Sequence, residues 1–446
     1  MIDISPEMLA IIMLGGVLVG VLTGYPLAPV IAGVALIVGY LTWGGPQVTH
    51  LFYSRMYDLA RSYIILAAPL FIFMGLMLER SGIAGRLYDA LYLWLGGFRG
   101  GLAITTVLIG TILAACVGII GASVTMLAIV ALPAMVKRGY GKALASGSVC
   151  AGGTLGILIP PSIMLVIYGP MAMISVGKLF MGAIFPGLVL SGLYCSYITL
   201  HSLFKPEIAP AVPLEDRAVP FIKKTNMLLT SLVPPVLLVM AVLGSIFFGI
   251  APPTEAAAVG AFAAILLAAA YRRLSFAVLR DTAFQTLRVT SKVIFVAVCG
   301  FMFTGIFLGL GGGEVVKDMV LASPGGRWGA FAVVMFIVFI LGMFIDWIGI
   351  IFIMVPIITP IGPALGFDEL WFAMMIIVNL QMSFLTPPFA YAIFFLRGAA
   401  PPELGVTTAD IIRGVIPFVI LIIVGLGLCI AFPQIILWLP HQMIKF

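Results

Sequence analysis

Apolar runs of around twenty residues recur along this chain, separated by short polar stretches. As a helix, a run of that length crosses a hydrocarbon core about 30 Å thick. A soluble chain of 446 residues would need several domains, yet no polar region here is long enough to be one. The composition agrees, at 63% hydrophobic and 9% charged residues with a mean hydropathy of +1.24. Soluble domains carry about 45–50% apolar and about 25% charged residues. The weaker alternation of a membrane β-barrel is absent. The chain reads as an all-α polytopic membrane protein.

Several function classes fall away. The net charge of +6 is modest, and the basic residues lie in loops, as membrane topology requires, so no nucleic acid partner is expected. Cys116, Cys150, Cys195, Cys299 and Cys429 sit in apolar segments without metal spacing. The three histidines, His50, His201 and His441, are far apart and close to loops, which argues against haem or a histidine proton relay. GLGGGE (309–314) lacks the lysine and hydroxyl residue of a phosphate loop. No cofactor is expected, and no catalytic cluster marks an enzyme. The first apolar run lacks a basic lead-in and passes into another span, so no cleavable signal peptide is expected.

Two apolar runs are interrupted by adjacent prolines, at GILIPPSIMLVIYG (156–169) and SFLTPPFAYAIFF (383–395). Proline cannot continue a helix, and unpaired backbone groups in hydrocarbon cost several kcal/mol each. The two breaks belong to a longer echo. TGYPLAPVIAGVAL (23–36) resembles IAPPTEAAAVGAFA (250–263), and PLFIFMGLMLERSG (69–82) resembles CGFMFTGIFLGLGG (299–312). GIIGASVTMLAIVALP (118–133) resembles LGMFIDWIGIIFIMVP (341–356), and GILIPPSI (156–163) resembles SFLTPPFA (383–390). Four echoes in one order, at a nearly constant offset of about half the chain, predict a duplicated architecture. The expected division is a first repeat over 1–204, a cytoplasmic linker over 205–224 and a second repeat over 225–446.

Charge asymmetry sets the expected orientation. Segment 102–136 is bracketed by Arg99 and by Lys137, Arg138 and Lys142, so it reads as a re-entrant hairpin with a cytoplasmic mouth. Its counterpart 328–360 is bracketed by Arg327 and by Asp368 and Glu369, so its mouth is placed outside. The basic loop 271–281 faces a counterpart, 43–55, with a single arginine. The reversal between halves predicts an inverted repeat with both termini periplasmic. Spans are expected over 7–43, 57–78, 143–170 (broken), 179–204, 226–270, 289–310, 370–396 (broken) and 414–439.

Inverted-repeat secondary transporters build midplane sites from discontinuous helices. Freed carbonyls suit a sodium ion, and an exposed half-helix N-terminus suits a carboxylate. The candidate interruptions are Val117–Ser123, Gly156–Ser162, Gly342–Asp346 and Ser383–Pro388. Asp346 is the lone acid of a deeply apolar stretch, and a membrane-buried acid is a functional candidate by default. The same aspartate could simply cap a short helix.

LPAMVKRGY (132–140), GTLGILIPPSIMLVIYG (153–169), APPTEAAAVGA (251–261) and VNLQMSFLTPPFAYAIFFLRG (378–398) resemble the DctM-type large membrane subunit of TRAP transporters, the tripartite ATP-independent periplasmic carriers. The resemblance covers essentially the whole chain. It implies an elevator-type carrier in the bacterial inner membrane that imports an organic acid with Na+ as coupling ion. It also implies two partners, a small four-helix DctQ-type membrane subunit and a periplasmic substrate-binding protein. The small subunit is expected against the scaffold surfaces near 7–43 and 226–270. Carried over by position, one sodium site would use Val117, Gly118, Gly156, Ile159 and Ser162, and the other Gly342, Ser383, Thr386 and Phe389. Substrate contacts are expected at Ser123, Thr125, Asp346 and Asn379. Where many members carry a serine-glycine-serine tip, this chain has Val117, Gly118 and Ile119, and Ser383 stands where many have glycine. A less polar tip points away from sugar acids such as sialate, toward a monocarboxylate such as a 2-oxo or aromatic acid. A self-sufficient sodium-coupled dicarboxylate or citrate carrier of related fold is the alternative.

Overall fold

The computed structural model describes residues 5–118, 120–213, 215 and 218–443, and for residues 64 and 114–117 the backbone alone. Helices make up its regular structure, and among the described residues there is no strand. The first half runs α1 (Pro6–Leu22), α2 (Leu27–Thr42), α3 (Gly45–Arg61), α4 (Ala67–Arg80), α5 (Ile83–Leu95), α6 (Gly101–Val117), α7 (Ile120–Lys137), α8 (Lys142–Thr154), α9 (Ile163–Ala172) and α10 (Val176–Phe204). The second half runs α11 (Phe221–Phe247), α12 (Pro253–Ala270), α13 (Phe276–Gly309), α14 (Gly312–Leu321), α15 (Gly326–Gly342), α16 (Trp347–Ile353), α17 (Val355–Ile358) and α18 (Ile361–Ala364). It ends with α19 (Glu369–Ser383), α20 (Tyr391–Ala399), α21 (Thr408–Ala431) and α22 (Gln434–His441). From α2 onward the order repeats, with matching starts 225 to 232 residues apart, as from Gly101 to Gly326, Lys142 to Glu369 and Val176 to Thr408. Among the described residues, six helices are long and apolar enough to cross a membrane, or eight if each of two bent pairs is one span.

The core is centred on α8 and α19. Every residue from Leu144 to Thr154 is buried, as is every residue from Leu370 to Ser383. A helix buried all round carries no polar face, and neither does here. Helix α8 packs on α6, α7 and α21, and α19 packs on α10, α15 and α21. Small residues permit the close crossings. A Cβ on Gly110 would fall 2.5 Å from the Gly152 carbonyl oxygen, and one on Gly147 would collide with that of Gly414. Such backbone-to-backbone packing replaces the hydrophobic drive that lipid cannot supply between helices. A second group lies outside this body: α4 packs on α12 and α13, and α11 on α12 and α5.

Several boundaries differ from the sequence reading. Segment 57–78 is not one span. Helix α3 ends at Arg61, a 3-10 turn follows at Tyr63–Leu66, and α4 begins at Ala67. Helix α3 is amphipathic, burying Val48, Phe52 and Leu59 and exposing Arg55, Asp58 and Arg61. Its counterpart is fused into α13, whose 34 residues, about 50 Å at 1.5 Å rise, absorb part of the basic stretch read as a loop over 271–281. The last segment, read as 414–439, is two helices, with Pro433 ahead of the second. The linker is docked rather than free. Gly100 and Gly141 donate to the carbonyls of Ala209 and Ile208, and Val212 donates to Gly96 at 2.7 Å.

Candidate functional site

At the first double proline, α8 gives way to a 3-10 turn over Leu155–Ile157, and the Pro160–Pro161 peptide is cis. Ser162 takes the extended N-cap position of α9, and its hydroxyl donates to the Ile157 carbonyl across the break. Residues 158–162 are all buried. Among the described residues, no hydrogen bond occupies the carbonyls of Gly156, Leu158, Ile159 or Pro160. The turn between α6 and α7 lies against this break. Gly118 there has φ of +63°, which glycine adopts without strain. A Cβ on it would sit 3.4 Å from the Ile163 nitrogen and 3.5 Å from the Pro161 carbonyl oxygen. Of Val117 only the backbone is described, and Ile119 lies outside the described residues.

The second double proline is built the same way. Helix α19 ends at Ser383, Pro387–Pro388 is cis, and α20 starts at Tyr391. The turn after α15 meets this break: Phe389 N–H donates to the Met343 carbonyl at 3.2 Å, and a Cβ on Gly342 would lie 2.6 Å from the Ser383 hydroxyl. Ser383 donates to Phe339 at 3.1 Å, and Thr386 donates to Met382 at 2.8 Å. Both hydroxyl oxygens keep lone pairs free. The carbonyls of Gly342, Leu385 and Thr386 accept no hydrogen bond among the described residues. The structure therefore brings the nine residues predicted for sodium into two separate clusters, one at each break. Their oxygens are backbone and hydroxyl groups, the donor set a hard cation takes.

Between the breaks lies a cavity of about 460 Å³. Each of the four interruptions contributes to it: Ile120 opens α7, Ile163 opens α9, Asp346 caps α16 and Tyr391 opens α20. Asp346 Oδ1 accepts from Trp347 N–H at 2.8 Å, so the capping role expected for it is present and coexists with a place on the cavity wall. Thr125 also lines the cavity. Ser123, two residues earlier on α7, is buried, its hydroxyl has no hydrogen-bond partner among the described residues, and it is not on the wall. Asn379 is elsewhere: its amide donates to the Met335 carbonyl at 2.7 Å and ties α19 to α15. The opposite wall, from α4 and α13, carries Glu79 and Lys292. Sequence reading missed both, because each borders a long apolar run near another charge, whereas Asp346 stands alone within one.

The chain matches the family described as the tripartite ATP-independent periplasmic transporter, DctM component, over residues 14–435. It belongs to that family. It is 31% identical over 389 residues to the C4-dicarboxylate TRAP transporter large permease protein DctM of Pseudomonas aeruginosa, covering 87% of this chain and 88% of that protein. It is 30% identical over 423 residues to the ectoine/5-hydroxyectoine TRAP transporter large permease protein UehC of Ruegeria pomeroyi, covering 94% of this chain and 95% of that one. The fold is similar to that of the Alcanivorax borkumensis YdaH transporter, with a TM-score of 0.61 at 13% identity over 96% of this chain and 99% of that one. This DctM-family subunit is thus a multi-pass membrane permease component and not an enzyme.

Proposed function

We propose that this subunit is the permease of a sodium-coupled importer of an organic monocarboxylate in the bacterial inner membrane. The observation that carries the reading is the meeting of all four interruptions at one cavity. The N-terminal ends of α7, α9 and α20 open there, and helix N-termini favour a carboxylate. Just behind them lie the two clusters of unpaired carbonyls. Sodium ions held by Gly118, Gly156, Ile159 and Ser162, and by Gly342, Ser383, Thr386 and Phe389, would fix the breaks in the geometry that receives the substrate. Cation and anion then stabilise one another in a low-dielectric site, which couples their movement.

The position of the cavity supports an elevator mechanism. Its walls come from two groups of helices, α7, α9, α16 and α20 on one side and α4 and α13 on the other. Sliding the first group past the second would carry the bound pair across the bilayer. The word tripartite in the family description supports a small membrane subunit and a periplasmic binding protein as partners. Relatives named for C4-dicarboxylate and for ectoine show that membership alone leaves the acid open. The apolar start of α7 at Ile120, Gly121 and Ala122 and the aromatic wall at Tyr391 and Phe395 favour a monocarboxylate.

The test is uptake into proteoliposomes holding the membrane subunits, with the cognate binding protein added outside. Pyruvate, benzoate and sialate are compared under an inward sodium gradient. Uptake of pyruvate or benzoate that needs both sodium and the binding protein is expected. Preference for sialate would overturn the substrate class. Uptake without the binding protein would favour a self-sufficient carrier.

A further inference from the structure

Lys292 stands at the middle of α13, and no charged residue follows it before the helix ends at Gly309. It lines the cavity together with Glu79, from α4, and Asp346, from the facing wall. Neither Lys292 nor Glu79 makes a side-chain hydrogen bond or ion pair among the described residues. Of the neighbouring charges, Arg80 pairs with Asp281 at 3.5 Å, while Arg288, one turn before Lys292 on α13, makes no ion pair among the described residues. Asp346 has one oxygen committed to the Trp347 N–H. The α4–α13 wall therefore presents to a largely apolar space a lysine and a glutamate that make no hydrogen bond or close ion pair among the described residues, with Asp346 across the cavity within electrostatic reach of Lys292. An unpartnered charge at membrane depth is costly and marks a ligand path.

We infer that this wall reads the charge of the substrate: Lys292 takes its carboxylate, and Glu79 turns away any second anionic group. This rests on the transport function proposed above and adds the residues that set specificity from the side opposite the helix breaks. An ammonium donating to a carboxylate is among the stronger hydrogen-bonded pairs, and like charges repel by similar amounts. An acid with one carboxylate places it between Lys292 and the N-terminal ends of α7 and α9, and leaves its far end to the rings of Tyr391 and Phe395. A dicarboxylate of similar length would bring its second charge to Glu79 or Asp346. Neutralising Glu79 removes part of that barrier.

The experiment uses the complete transporter in proteoliposomes, with pyruvate and benzoate as monoanionic probes and succinate as the dianion. Lys292→Cys should raise the KM for a transported monoanion about tenfold or more. Treatment with 2-aminoethyl methanethiosulfonate, which returns an ammonium to that position, should restore most of the loss. The 2-sulfonatoethyl reagent should not. The unsubstituted protein is treated in parallel because it carries five native cysteines. Glu79→Gln should raise succinate uptake relative to the monoanion at least severalfold. Equal rescue by both reagents, or an unchanged KM and selectivity in both variants, would overturn the inference while leaving sodium-coupled transport intact. Absence of sodium-driven uptake of every probe by the unsubstituted transporter would instead overturn the transport function beneath it.

Discussion

Asp346 and Thr386 each serve structure and site at once, and single substitutions separate the two roles. Asp346→Asn keeps an oxygen to accept from Trp347 N–H, and asparagine is as good an N-cap as aspartate. Removing only the charge should leave folding and insertion unchanged and lower sodium-driven uptake at least tenfold. Uptake at the parent rate would restrict Asp346 to capping. Thr386→Val keeps the shape and removes the hydroxyl that donates to Met382 at 2.8 Å. If that oxygen also faces sodium, the sodium concentration for half-maximal uptake should rise severalfold, with detergent thermostability altered little. A flat sodium dependence would leave the second site to backbone oxygens alone. Asp346 was legible in the sequence because a lone acid in an apolar stretch has few uses. Lys292 and Glu79 were not singled out because each lies beside other charges, Arg288 and Arg80, that blend into a loop pattern.

At the scale of elements, the close crossing of α8 with α21 is the most demanding contact in the body. A Cβ at Gly147 meets the Gly414 carbonyl, and a Cβ at Gly414 meets the Ala143 carbonyl, so neither helix has a flexible side chain that can yield. Gly147→Val should destabilise the subunit by about 1–3 kcal/mol, the range for overpacked cores, and lower the Tm in detergent. An unchanged Tm would mean that the helices can part without cost. Both helix breaks were readable from their prolines, since no helix continues through such a pair in the interior of an apolar run. Helices α5 and α14 were not read, although Ile83, Leu87 and Leu91, and Val316 and Val320, follow the four-residue spacing of a buried stripe. Both are short and lie beside charged turns, which made them resemble loop sequence.

At the scale of the molecule, α1 and α11 leave broad apolar faces uncovered, including Met8 and Ile11 on α1 and Leu237 and Met240 on α11. These lie within the surfaces assigned from sequence to a small helical partner. Affinity purification in mild detergent should recover a small membrane protein in stoichiometric amount. A large subunit that purifies alone and still transports would overturn that assignment. By itself, the sequence determined that the chain spans a membrane as helices, that its halves echo one another, and that each half carries a broken helix. These are local properties: apolar run length, repeat offset, and proline's missing N–H. Only the tertiary structure decided which interruptions meet. It set Gly118 against Pro161 and Gly342 against Ser383, brought Lys292 and Asp346 onto one cavity, and placed Asn379 outside it. The reason is that these partners lie far apart along the chain, and their meeting depends on how helices cross, which no stretch of sequence encodes alone.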